Sequence, residues 1–338
     1  MAARDDDLRK ALLEIPGKLS DLVRQEDCDL VLLAGDIFDG IPSRETVELV
    51  HRALAEMEVP VFIAPGNHDY VRADSPWLCH IWPENVYVFT QNAVTSVALP
   101  GLDCRVYGGA FTGMDCPGLL DGFRAEGPEQ RHIAVLHGDP QVRNSPYCPI
   151  TNEQIMASGL DYLALGHIHK TGQLRSGQTI CAWPGCPMGR GYDETGEKGV
   201  YIVTLGDMTE AAFRPLELPR FYDLTVEAGE DPASTLNGIL PTVGSGDYYR
   251  ITLTGECPGV DIPGLTAELA RFPRLVLRDR TVPPVDLWAN AGEDTLEGVY
   301  FRRLQDALEG ADEEHTRQIR LAAKLSRKLL DGQEVTLP

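Results

Sequence analysis

The sequence predicts an α/β fold in which two packed sheets carry helices on their outer faces (αββα), and three observations predict it. Residues 28–65 read as strand, helix, strand, and residues 86–205 read as short β-like runs split by Gly and Pro. The 338 residues, 43% hydrophobic and 24% charged, have the balance of a globular chain with room for a large domain and smaller ones.

Taken in order, "CDLVLLA" (28–34) is a continuous apolar run, the mark of a strand buried on both faces. Ser43 is suited to cap a helix on which Val47, Val50, Leu54 and Met57 recur at helical spacing, and "VPVFIAP" (59–65) is the next strand. A right-handed crossover makes these two strands parallel and brings their C-terminal ends to one edge. From 86 to 137 follow "NVYVFTQ", "AVTSVAL", "CRVYGGA" and "HIAVLH", with further runs at 161–165, 178–183 and 199–205. Two prolines in "FRPLELPRFYDLTV" (213–226) mark a boundary, so the first domain is expected over residues 1–212. Strand-like "FYDLTVE", "DYYRITLTG" and "RLVLRDRTV" around a helix at 264–271 predict a small α+β domain over 213–288. Residues 289–338 read as two helices joined at "EGADEE", the second closing at Asp331-Gly332. Arg317, Arg320, Lys324 and Arg327 form a basic stripe on it, expected to be a solvated face in preference to a partner-binding surface.

Charge excludes one class of function. Thirty basic against fifty-one acidic residues give a net charge of −21, so bulk electrostatics would repel nucleic acid. Action on a phosphodiester then requires metal ions, a local basic patch or a partner. No apolar run reaches the ~20 residues of a membrane helix, and "MAARDDDLRK" is too charged for a secretory signal, so a cytoplasmic protein with no membrane partner is expected. Eight cysteines without C-x-x-C spacing read as free thiols.

Four strands end in chemistry. The run 28–34 leads into Gly35-Asp36-Ile37-Phe38-Asp39, 59–65 into Gly66-Asn67-His68-Asp69, 131–136 into His137-Gly138-Asp139, and 161–165 into Gly166-His167-Ile168-His169. One such tetrapeptide could be a turn, and His51, on a predicted helix, is better read as a packed side chain. Four in succession, each beside a glycine, point to one site at a sheet edge. Carboxylate, amide oxygen and imidazole together suit two transition-metal ions, manganese, iron or zinc, better than calcium. Asp36 is the natural bridging ligand; Asn67, His137 and His167 would complete one ion and His169 would serve the other. His68, adjacent to Asn67, should face substrate as a general acid oriented by Asp39.

At these residues the chain resembles the calcineurin-like metallophosphoesterase superfamily, whose blocks are D-x-H, G-D-x-x-D, G-N-H-D, a lone H and G-H-x-H. Within it the likeness is greatest to bacterial SbcD-type DNA repair exonuclease subunits, because "WPGCPMGRGYDETGEKGVYIVTL" (183–205) is similar to that family's closing strands and "RFYDLTV" to the start of its capping domain. The resemblance implies a two-layer β-sandwich flanked by helices, Mn-dependent cleavage of DNA, and an SbcC-type ATPase partner docked through the C-terminal helices; a homodimer is a further expectation. One block is absent: no Asp-x-His occurs in the 338 residues, and the family places it upstream of a helix that "AARDDDLRKALLEI" resembles. The first metal would then keep only Asp36 and His169, the second remaining complete. A gene start placed too late is the favoured explanation, ahead of truncation or replacement by another segment. Three readings follow: a DNA nuclease, a phosphodiesterase for small diesters such as cyclic nucleotides, and a non-catalytic structural subunit.

Overall fold

A computed structural model describes residues 2–332, with side chains from residue 6 onward. The chain divides into two compact units, residues 1–223 with 246–249, and residues 224–245 with 250–338.

The first unit opens with helix α1 (Ala2–Gln25), then strand β1 (Val31–Leu33), helix α2 (Arg44–Ala55) and strand β2 (Val61–Ile63). Ser43 caps α2 as its spacing predicts, its hydroxyl accepting from the Thr46 N–H. A short helix α3 (Pro76–Cys79) precedes β3 (Val86–Val88), and β1, β2 and β3 make a parallel three-stranded sheet. Strands β4 (Thr95–Leu99), β5 (Cys104–Gly108) and β6 (Arg131–His137), helix α4 (Asn152–Ala157), and strands β7 (Tyr162–Gly166), β8 (Gly172–Ser176) and β9 (Thr179–Trp183) follow. They build a six-stranded sheet of order β4-β5-β6-β7-β9-β8. An antiparallel pair, β10 (Gly199–Leu205) and β11 (Thr209–Pro215), adds to the same core.

Alternation along the strands explains the layers. On β2, Phe62 faces the six-stranded sheet, meeting Ile133, Val135 and Ala164, while Val61 and Ile63 face Val47, Val50 and Leu54 of α2. On β6 and β7 the opposite set, Leu136, Leu163 and Leu165, packs outward against Ile155 of α4. The first unit is therefore helix, sheet, sheet, helix, as expected. Its consequence for function is direct: His137 continues the Ile133–Val135 face and points between the two sheets.

The second unit contains the rest of strand β12 (Phe221–Glu227), helix α5 (Pro232–Ile239), strand β13 (Tyr248–Thr254), helix α6 (Ile262–Glu268), strand β14 (Leu275–Asp279), and helices α7 (Leu296–Asp306) and α8 (Glu313–Leu330). The sheet order is β12-β13-β14. The division falls after residue 223, not 212, because the β10–β11 ladder runs to Pro215 and Leu216, Leu218 and Phe221 share a core with Ala11 of α1. Nor do residues 289–338 stand apart: Lys324 of α8 pairs with Glu256 at 2.8 Å inside the same unit. The basic stripe is split: Arg317 and Arg320 are exposed, as expected of a solvated face, whereas its last member is not. Arg327 is buried, its guanidinium 2.5 Å from Glu297 Oε1 and 4.2 Å over the Phe301 ring, so α8 turns this one charge inward. Among the described residues no helix is long and apolar enough to cross a membrane.

Candidate active site

Register assembles the site. In the β6–β7 pair His137 lies opposite Gly166, so the histidine of one strand meets the Gly166-His167 turn of the next. The β1–β2 pair ends at Leu33 opposite Ile63, placing the Gly35-Asp36 and Gly66-Asn67 turns side by side. The glycines are obligatory here for space: a Cβ on Gly66 would lie 2.3 Å from Asp36 Oδ1, and one on Gly166 would lie 1.8 Å from the Ala34 carbonyl oxygen. Asp36 and His167 themselves sit at φ +52° and +82°, left-handed backbone that costs non-glycine residues on the order of 1–3 kcal/mol. Both strained positions belong to the candidate ligand set.

Asp69 holds these turns together. Its buried carboxylate accepts four backbone N–H groups: Gly66 (2.7 Å) and Asp36 (3.2 Å) on Oδ1, Ile37 (2.8 Å) and Phe38 (3.2 Å) on Oδ2. Burial pushes this carboxyl up to about 6, with the Gly66 N–H opposing and the Asp36 charge adding. Asp36 in turn accepts the His68 N–H at 2.9 Å. The last residue of Gly-Asn-His-Asp is thus a brace, a role its position in the sequence did not disclose.

His137 gives the strongest evidence on metal. Its Nδ1 donates to the Ala34 carbonyl at 2.8 Å, and burial pushes the imidazole down from its ordinary value, Asp36 and that carbonyl opposing. A neutral ring with its proton on Nδ1 offers a bare lone pair at Nε2. That nitrogen lies 2.9 Å from Asn67 Oδ1 and 3.5 Å from Asp36 Oδ2. Three atoms able to donate lone pairs thus converge, and a ring oriented by a backbone carbonyl is the usual support of a metal-ligating histidine. A divalent cation satisfies this arrangement. The fourth expected donor, His167, has its ring 5.3 Å from that of His137 and 4.6 Å from that of Tyr147, and burial pushes it down too, Asp139 and Asp36 opposing. The four residues expected for this ion lie at one edge without forming a closed cage: among the described residues no three His, Cys, Asp or Glu side chains are gathered tightly enough to hold an ion as they stand.

The other expected residues occupy the rim. His68 Nδ1 lies 2.9 Å from Asp39 Oδ1, the pairing expected for an oriented general acid. His169, half-exposed, is not directly bonded to Asp36; its Nδ1 meets Glu194 Oε1 at 2.6 Å. Burial works against Glu194, yet the Arg190 N–H and the His169 ring hold its carboxyl below the usual range. Arg190 Nη1 reaches Asp39 Oδ2 at 3.4 Å. Glu194 and Arg190 were not expected; both lie in "GRGYDETGEKG", which sequence reasoning used for kinship and not for chemistry.

Comparison with known proteins places the chain in a family. Residues 3–171, half of the chain, match the family model described as calcineurin-like phosphoesterase. The chain is similar to an uncharacterized metallophosphoesterase, YhaO, of Bacillus subtilis (strain 168), at 31% identity over 56% of this chain and 49% of that protein, so it spans about half of that relative's length. It is also similar to a probable exonuclease subunit 1 of Escherichia phage T5, at 23% identity over 66% of this chain and 67% of that one.

Proposed function

Since the chain belongs to the calcineurin-like phosphoesterase family, hydrolases acting on phosphoester bonds, we propose that it cleaves phosphodiester bonds in DNA as an SbcD-type exonuclease subunit using divalent transition metals, manganese first. The observation that carries the metal-dependent part is the convergence of the His137 Nε2 lone pair with Asn67 and Asp36. The likeness to the phage probable exonuclease subunit supports exonuclease action.

Asp36, Asn67, His137 and His167 would hold one ion, and Asp36 with His169 would give the protein side of the other. When bound, two divalent ions neutralise charge on the phosphate and make the attacking water more acidic. The remaining work falls to the rim. With Nδ1 committed to Asp39, a protonated His68 keeps Nε2–H for the leaving oxygen, and Asp39 both orients the ring and stabilises its positive charge. Glu194 fixes the His169 ring in the same manner, through Nδ1. The SbcC-type ATPase is proposed to dock on residues 289–338, where α8 leaves Leu321, Leu329 and Leu330 exposed.

The net charge of −21 favours a second reading, hydrolysis of a small phosphodiester that the ions alone can hold. A third, a structural subunit, draws on the open arrangement of the ligands. Metal content and Mn-dependent hydrolysis of a labelled DNA duplex and of bis(4-nitrophenyl) phosphate, measured on the 338-residue chain with and without an SbcC-type ATPase, separate the three. His68→Ala is expected to abolish turnover with metal content intact, and His167→Ala to lower metal stoichiometry. Cleavage of the small diester alone supports the second reading; bound metal without turnover of either substrate supports the third.

A further inference from the structure

The rim of the site holds one guanidinium between two pairs of opposite function, and its bonding is incomplete. Arg190 Nη1 is 3.4 Å from Asp39 Oδ2 and its Nε is 3.9 Å from Glu194 Oε2, both longer than the 2.7–2.9 Å of a good charge-assisted hydrogen bond. Nη2 has no partner among the described residues, the side chain is 47% exposed, and Asp39 is 71% exposed. Exposed pairs at such distances contribute little, so the guanidinium can change partners at small cost. Its backbone, by contrast, is anchored: the Arg190 N–H donates to the half-buried Glu194 carboxylate at 2.8 Å. A fixed root and a loosely held head describe a group waiting for a better anion.

Position says which anion. Asp39 carries His68 and Glu194 carries His169, so Arg190 stands between the proposed proton donor and the imidazole proposed for the second ion. On a chain of net charge −21, a phosphodiester needs a local cation besides the metals. Arginine's planar fork matches two phosphate oxygens at once, and the exposed Asp39 is readily rehydrated when released.

We propose that Arg190 is the phosphate-binding residue of the site, exchanging Asp39 for a non-bridging oxygen pair of the substrate phosphate. The inference rests on the phosphodiesterase reading above, and its test separates the two. Wild type, Arg190→Gln and Arg190→Lys are compared, as Mn-loaded 338-residue chains, in KM and kcat for bis(4-nitrophenyl) phosphate, affinity for inorganic phosphate, and affinity for Mn by titration calorimetry. Arg190→Gln is expected to raise KM and weaken phosphate binding roughly 10- to 100-fold, the loss of one charge-assisted hydrogen-bonded pair. Mn affinity should stay within about twofold, and Arg190→Lys should restore part of the phosphate affinity because it keeps the charge without the fork. Unchanged KM and phosphate affinity overturn the proposal while the wild-type turnover upholds the phosphodiesterase reading. Loss of Mn affinity with phosphate binding intact also overturns it, and assigns Arg190 to holding Glu194 and His169. If wild type turns over neither substrate, the phosphodiesterase reading fails, and phosphate titration alone decides Arg190: binding to wild type but not to Arg190→Gln upholds it, equal or absent binding refutes it.

Discussion

Replacing Gly166 by alanine tests whether the close approach of two strand ends sets the site. A methyl group there would lie 1.8 Å from the Ala34 carbonyl oxygen and 2.8 Å from His137 Nδ1, where real contacts essentially never fall below 3.0 Å. The obstructing atom is backbone, so β1 and β7 must separate by about 1.2 Å, the difference between those two distances. That movement falls on the 2.8 Å bond that Ala34 accepts from His137. Overpacking of this kind costs about 1–3 kcal/mol, and stranding a buried hydrogen-bonding group costs about the same again, so about 2–6 kcal/mol is expected. Urea unfolding at pH 7.5 reads it as a lower midpoint with unchanged slope. Gly101→Ala, whose Cβ would meet nothing within 4 Å, is the control and should shift stability by no more than about 0.5 kcal/mol. A Gly166→Ala chain within about 1 kcal/mol of wild type that binds metal normally would refute the view that this contact fixes His137.

Asp69→Asn keeps the shape but turns one acceptor oxygen into a donor facing two N–H groups; about 2–4 kcal/mol of destabilisation is expected at pH 8, read from the urea midpoint, and a neutral result would show that the four N–H bonds do not brace the turns. His137 stays neutral in the fold because burial lowers its pKa, whereas the unfolded ring takes up a proton below about pH 6.5. Its contribution is therefore complete above that pH and declines as pH falls toward the depressed folded value, by at most about 1.4 kcal/mol per unit. The difference between wild type and His137→Gln, followed by urea midpoint from pH 7.5 to 5.5, isolates this from Asp69, whose raised pKa acts in the opposite sense; a pH-independent difference sinks the assignment. Arg327→Ala removes the buried partner of Glu297 and the cation over Phe301, and should destabilise by about 2–5 kcal/mol, with Arg327→Met milder; equal stability of both to wild type, by calorimetry, would show that Arg327 is solvated like Arg317 and Arg320.

Much of the first unit was legible because its strands alternate or run apolar and its turns are punctuated by glycine. The βαβ unit with its parallel strands and the Ser43 cap follow from such local signals. What was hidden depends on partners distant in the chain. Strand β8, "GQLRS", has a single large apolar residue and exists because β9 pairs with it, and β11 is recognisable only through its ladder with β10. The same holds at the site. Asp36, Asn67 and His137 advertise themselves by type and by the glycine beside them. Glu194 and Arg190, about twenty-five residues past His169, look like ordinary loop charges until the fold carries them to the rim. The stripe on α8 misleads at Arg327 for the converse reason: its periodicity is real, but a half-buried glutamate partner on another helix cannot be seen from one helix.

The bond from His137 to Ala34 spans 103 residues and its contact with Asn67 spans 70. Contacts of such sequence separation are closed late, after local hairpins and helices have formed, because the entropy of the long loop must be met before they stabilise anything. The lone pairs that face one another beside His137 therefore do not exist as a group in a half-folded chain. Chemistry of this kind needs the long-range closure complete, and capture of a metal ion during refolding would serve as a stopwatch for that step.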